Sequence, residues 1–155
     1  MVALERQGAA CWPVPLLLIG GCGSMGLEYQ GDLLGPVLTL SPAGDLNFPD
    51  TSPEGGAAVE SLLMSSDGDE AVSLIDIYID ESSSVAFWVR DDLPVPMRLE
   101  PGDSFELLVN FEPYAVGQFS GTLVIDQDNN GERHLVERGL AGAGCADADF
   151  DGACD

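Results

Sequence analysis

After the turn sequence Glu100-Pro101-Gly102-Asp103, the residues Phe105, Leu107, Val109 and Phe111 fall on one parity and stop before Pro113. Apolar residues at every second position predict a half-buried β-strand. A second run opens at Gly117, where Phe119, Leu123 and Ile125 share a parity and the small Gly121 sits between them. Residues 72–80 alternate in the same way, which places Ile75, Ile77 and Ile79 on one face and Leu74, Asp76, Tyr78 and Asp80 on the other. Val85, Phe87 and Val89 repeat the pattern, residues 57–65 supply Val59, Leu62, Leu63 and Met64, and residues 135–140 give a last strand. Ser66-Asp67-Gly68-Asp69, Asp91-Asp92 and Pro94-Val95-Pro96 punctuate the runs. No window sustains a 3.6-residue apolar period, so the expected fold class is all-β, an antiparallel sandwich.

Asp126-Gln127-Asp128-Asn129-Asn130-Gly131, with Glu137 beyond it, has the ligand and glycine spacing of an EF-hand loop. That loop joins two helices, whereas this segment joins two predicted strands, and Arg133 stands where an apolar residue is required. Asn130-Gly131 is the left-handed pair of a tight hairpin turn.

A chain of 155 residues suffices for one main core and buries about two-thirds of the surface its unfolded form exposes. Its net charge of −22 comes from 27 acidic residues against five arginines and no lysine. That balance excludes nucleic-acid binding by phosphate neutralisation and disfavours docking on an anionic membrane surface. It keeps the surface solvated and draws in cations.

The order Pro101-Gly102, Val109, Phe111, Pro113, Gly117, Phe119, Gly121 and Leu123 resembles the immunoglobulin-like domains of the ASH or Hydin type, found in bacterial surface proteins and in cilium and centrosome proteins. Pro42, Leu46, Phe48 and the Gly55-Gly56 pair resemble the opening of those domains, and Leu140-Ala141-Gly142-Ala143-Gly144 resembles their Leu-x-Gly-x-Gly ending. Pro49 and Ser66 depart from the family's usual glycine and asparagine. The resemblance covers residues 37–144 and implies an immunoglobulin-like β-sandwich of about seven to eight strands.

Residues 9–21 form an apolar run too short to span a bilayer, the core of a signal peptide over residues 1–21. Ile19-Gly20-Gly21-Cys22 resembles a lipobox, which implies that Cys22 is acylated and becomes the first mature residue, with residues 22–36 as a tether. The alternative is an ordinary cysteine beside a general secretory cleavage site. At the other end, Asp147, Asp149, Asp151 and Asp155 alternate around Gly152, with Cys145 and Cys154 flanking. This resembles the start of a thrombospondin type 3 repeat over residues 145–155, cut short here, and implies Ca²⁺ on those four aspartates; the alternative is a disordered acidic tail. With Cys11 removed and Cys22 acylated, Cys145 and Cys154 are left either to bridge each other or to pair with a downstream part. His134 is the one histidine, and no nucleophile or orienting acid is singled out beside it.

The expectation is therefore a non-enzymatic, exported protein, lipid-anchored at the cell envelope or outer surface. It would act as a spacer or as a protein-binding or adhesion domain, touching the membrane through its lipid alone. Its partner would be another envelope or surface protein, bound in one version at an exposed sheet edge. The alternative is the accessory N-terminal domain of a larger secreted enzyme whose catalytic part lies beyond residue 155. Mass spectrometry of the mature N-terminus should find Cys22 first in the chain and carrying acyl groups; an unmodified Cys22, or an intact Met1, removes the anchor.

Overall fold

The computed structural model describes residues 34–147 and Cys154. The signal peptide, Cys22, most of the expected tether, Asp149, Asp151 and Asp155 lie outside the described residues. The described residues form nine strands: β1 (Leu38–Ser41), β2 (Leu46–Asn47), β3 (Ala58–Ser66), β4 (Val72–Ile79), β5 (Phe87–Val89), β6 (Met97–Leu99), β7 (Ser104–Phe111), β8 (Gly117–Asn129) and β9 (Glu132–Gly144). One sheet has the order β1-β3-β7-β5 and the other the order β2-β9-β8-β4-β6. This is the sandwich that the alternating pattern predicts, with more strands than seven or eight. The surplus lies in β2 and β6, which are too short to carry an alternating signature of their own.

The long hairpin β8–β9 organises the second sheet. Asn129 pairs with Glu132, so the turn is Asn130-Gly131, whose φ angles of 56° and 95° are both left-handed. A two-residue turn of that kind matches the twist of the strands it joins, and asparagine and glycine tolerate it with little steric cost. The EF-hand spacing is thus spent on a hairpin. Asp128 accepts from the Gly131 backbone N–H at 2.6 Å, and Asp126, only 2% exposed, is ion-paired with Arg133 across the hairpin.

The second sheet also corrects one expectation. The register of β4 on β8 shifts between Leu74 and Asp76, a β-bulge at Ile75. A bulge adds one residue to one strand and inverts the parity beyond it. Val72 and Leu74 are therefore buried before the bulge and Ile77 after it, whereas Ile75 is half-buried. Leu74 belongs to the core and not to the solvent face.

Between the sheets, Leu62, Met64, Leu74, Leu107, Val109, Phe111, Leu123 and Ile125 are fully buried. Phe105 is half-buried at the rim. Phe111 stands at the centre of an aromatic cluster, with ring centroids 4.9 Å from Phe87, 5.5 Å from Phe48 and 5.8 Å from Phe119. Its ring lies so close to the backbone of β9 that a Cβ on Gly142 would meet it at 2.7 Å. Gly121 has the same role on β8, where a Cβ would come within 3.0 Å of Ser83 and 3.1 Å of Phe87. That close approach lets the crossover from β4 to β5 lie over the sheet, fixed by Thr122 N–H donating to Ser83 Oγ at 2.8 Å.

Gly35 and Pro36, assigned to the tether by the sequence reading, already pack on the sandwich. The Gly35 carbonyl accepts from Asp69 N–H at 3.1 Å, and Pro36 bridges Glu70.

Replacing Phe111 with alanine should lower the unfolding free energy by about 3–5 kcal/mol, the usual cost of emptying a buried phenylalanine site. Urea denaturation followed by circular dichroism checks it, and a loss below about 1 kcal/mol would remove Phe111 from the centre of the core.

Candidate functional site

Two places combine geometry with chemistry. The first is the C-terminal segment. Just past the end of β9 at Gly144, Cys145 N–H donates to the Thr51 carbonyl at 3.1 Å. Cys145 and Cys154 are disulfide-bonded, with Cα atoms 5.5 Å apart. Asp147 accepts from the hydroxyl of buried Ser52 at 3.3 Å. Ser52, Glu54, Val116, Cys145 and Asp147 line a hollow of about 270 Å³. Of the four aspartates expected to hold Ca²⁺, Asp147 is the one within the described residues, where it accepts from Ser52; Asp149, Asp151 and Asp155 lie outside them. Among the described residues no group of three or more His, Cys, Asp or Glu side chains is arranged to hold a metal.

The second place is a groove on the flank of the sandwich. β6 pairs with Val72, Ser73 and Leu74 and then leaves β4, whose outer edge beyond the bulge has no strand beside it among the described residues. Across the opening lies β5, the edge of the other sheet. Between them runs a groove of about 390 Å³ lined by Asp76, Tyr78, Trp88, Arg90, Asp91 and Leu93, among others. Tyr78 and Trp88 remain 38% and 40% exposed. Aromatic surface with a polar handle, flanked by backbone with unspent hydrogen-bonding capacity, suits an extended polypeptide.

The charges around this groove are fixed locally. Arg90 grips Asp92 through two hydrogen bonds of 2.8 and 2.6 Å. That grip raises the Arg90 pKa and lowers that of Asp92. On the crossover above, Asp80 accepts from the backbone N–H of Ser82 at 3.0 Å and from its hydroxyl, and these bonds to the charged form lower its pKa. Arg90 holds its cation in place and leaves Asp76 and Asp91 to give the groove an acidic lip.

No protein-family model and no curated protein matches the sequence. Among solved structures the chain is similar to the ASH/PapD-like domain 7 of human CEP192, at 20% identity and a TM-score of 0.53, covering 71% of this chain and 86% of that one. The shared fold is the immunoglobulin-like β-sandwich. The chain is also similar to the VesB protease of Vibrio cholerae, at 12% identity and a TM-score of 0.55 over 77% of this chain, and it spans 34% of that protein. A third similarity is to the periplasmic chaperone SfaE, at 12% identity and a TM-score of 0.54, covering 71% of this chain and 59% of that one. At such identities the likeness is one of fold.

Sequence reasoning did not find the groove. The alternation places Tyr78 on the face of Leu74, Asp76 and Asp80, and gives Trp88 no signature of its own. The Pro94-Val95-Pro96 break was the available signal, because proline removes the N–H that pairing along β4 would need.

A carboxyl whose folded pKa is lowered contributes stability that is present above its unfolded value and lost as pH falls through its folded value. Asp80 and Asp92 should therefore titrate below the ordinary aspartate value in a two-dimensional NMR titration, and Ser82→Ala should return Asp80, but not Asp92, towards it. An Asp80 midpoint unmoved by that substitution would dissociate the shift from Ser82.

Proposed function

We propose that this chain is a non-enzymatic, lipid-anchored module of the cell envelope or outer surface that binds another envelope or surface protein, taking an extended segment of it into the groove between β4 and β5. The carrying observation is that two sheet edges face each other across an aromatic-lined opening. A segment laid there gains main-chain hydrogen bonds from an edge and side-chain contacts from Tyr78 and Trp88. Attachment through acylated Cys22 rests on the lipobox-like sequence before it, and sets the sandwich as a spacer between membrane and partner. Ca²⁺ on Asp147, Asp149, Asp151 and Asp155 rests on their alternation and on the repeat it resembles. Neutralising those charges would let the acidic segment become compact.

A second reading, an accessory domain of a larger secreted enzyme, is favoured by one observation. The similarity to VesB takes in 34% of that protease, and this chain's similarity to the secreted serine protease VesC, at a TM-score of 0.50 and over 27% of that protein, is of the same kind. The coding sequence downstream of Asp155 decides between the two.

The binding reading is tested by capture from envelope extracts with the wild-type chain and with Trp88→Ala. Truncating an aromatic anchor should weaken capture of the same partner by about thirty-fold, the effect of losing about 2 kcal/mol. Equal capture with unchanged circular dichroism would remove the groove as the binding site. Calorimetric titration with Ca²⁺ should give heat that disappears in D149N/D151N; unchanged heat would remove the tail as the calcium site.

A further inference from the structure

The outer edge of β9 is the longest uncovered strand edge among the described residues. β2 pairs with Leu140 and Ala141 and goes no further. Asp45 then caps the edge, its carboxylate accepting from Gly139 N–H at 3.1 Å. From Glu132 to Arg138 no strand of the described residues lies alongside.

Which backbone groups face outward follows from the register. Gly139 N–H donates outward to Asp45, and the carbonyls of Ala141 and Ala143 accept outward from Phe48 and Thr51. The pairing of β8 with β9 is uninterrupted from Gly144 back to Glu132, so alternation carries outward-facing N–H and C=O groups to Glu137, Leu135 and Arg133. Leu135, at the middle of this edge, is 59% exposed.

The side chains along it read Glu132-Arg133-His134-Leu135-Val136-Glu137-Arg138. If a second copy is laid antiparallel with Leu135 opposite Leu135, then Glu132 faces Arg138 and Arg133 faces Glu137, each twice by symmetry. In the same register the outward-facing residues Arg133, Leu135 and Glu137 oppose one another, as a hydrogen-bonded antiparallel ladder requires. Sliding by two residues one way sets Arg133 against Leu135 and His134 against itself. Sliding the other way sets His134 against Arg138. A one-residue slip turns outward-facing groups against inward-facing ones. Edge charges commonly repel a second copy, but here one register converts them into opposite-charge pairs, which are stabilising when they lie directly across strands.

Arg138 adds an independent observation. Arg90, Arg98 and Arg133 each have a carboxylate partner. Arg138 instead donates to the adjacent Glu137 carbonyl at 3.0 Å, and its Nε is buried with no hydrogen-bond partner. In a chain of net charge −22 an arginine without a carboxylate partner is out of keeping with the composition, and the second copy's Glu132 supplies one.

We propose that two copies of this chain associate edge to edge through β9, about a two-fold axis at Leu135, joining their five-stranded sheets into one continuous sheet. The proposal is independent of the groove between β4 and β5, which lies at the far side of that sheet. Repulsion between two acidic chains opposes the association, so it is measured near 0.15 M salt, where charges beyond about 8 Å are screened.

Sedimentation equilibrium of the full chain carrying C11S/C22S, which removes thiol and lipid effects, should show a monomer–dimer equilibrium. E132R and R138E should each weaken it at least about ten-fold by setting like charges face to face at two symmetric positions. E132R/R138E should restore it, and an equimolar mixture of the two single variants should form a heterodimer although each alone is monomeric. Because Cα atoms of a hydrogen-bonded pair lie about 5.5 Å apart, within disulfide reach, L135C should cross-link to itself under mild oxidation, whereas R133C should not. A chain that stays monomeric up to about 1 mM overturns the proposal. So does a dimer whose affinity the charge reversals leave unchanged, or one that L135C fails to cross-link while circular dichroism shows the fold intact.

Discussion

The contact of the Phe111 ring with the bare backbone of Gly142 holds the two sheets at their working distance. Phe111 comes from the last residue of β7 in one sheet, and Gly142 from β9 in the other. A side chain at position 142 would drive the ring back into Phe48 and Phe87, each already within 5.5 Å of it by centroid. Dispersion in such a cluster is small per atom pair and large in sum, so a gap of even half an ångström forfeits much of it. The crossover from β4 to β5 depends on this packing too, since Phe87, where β5 begins, is one wall of the cluster. Displacing the ring would therefore move the strand that forms one side of the groove.

How much of this was legible in the sequence differs between elements for physical reasons. β7 and β8 could be read because in each the large apolar residues fall on one parity and a turn sequence stands before them, so that period and punctuation agree. The β8–β9 turn could be read because Asn130-Gly131 is the pair for which left-handed backbone is cheap. The bulge at Ile75 was hidden: three isoleucines on one parity look like one face, and the parity inversion is set by pairing with β8 and not by β4 itself. β2 and β6 were hidden for a related reason, being strands of two and three residues whose existence depends on β9 and β4 offering them an edge. The groove was hidden with them, because it opens where β6 leaves β4 at Leu74, just before the bulge.

Candidate chemistry was legible only in part. The acidic alternation after Cys145 names residues without showing where they converge, because converging ligands are a property of a folded loop and not of spacing alone. The EF-hand spacing around Asp128 illustrates the point: the same residues, placed on a hairpin, give a turn bond to Gly131 and an ion pair between Asp126 and Arg133. Spacing proposes ligands, and the backbone between them decides whether they meet.

The parallel seam between β2 and β9 has a mechanical consequence. Leu46 and Asn47 lie beside Leu140 and Ala141 in the same direction. The seam continues through Phe48 and Thr51, whose N–H groups donate to the carbonyls of Ala141 and Ala143 at 2.8 and 3.0 Å. Tension applied between Gly35 and Cys145 would load these bonds side by side in shear, so that several must yield at once, rather than peel them one after another. A sandwich closed in this way is suited to transmitting force along its length.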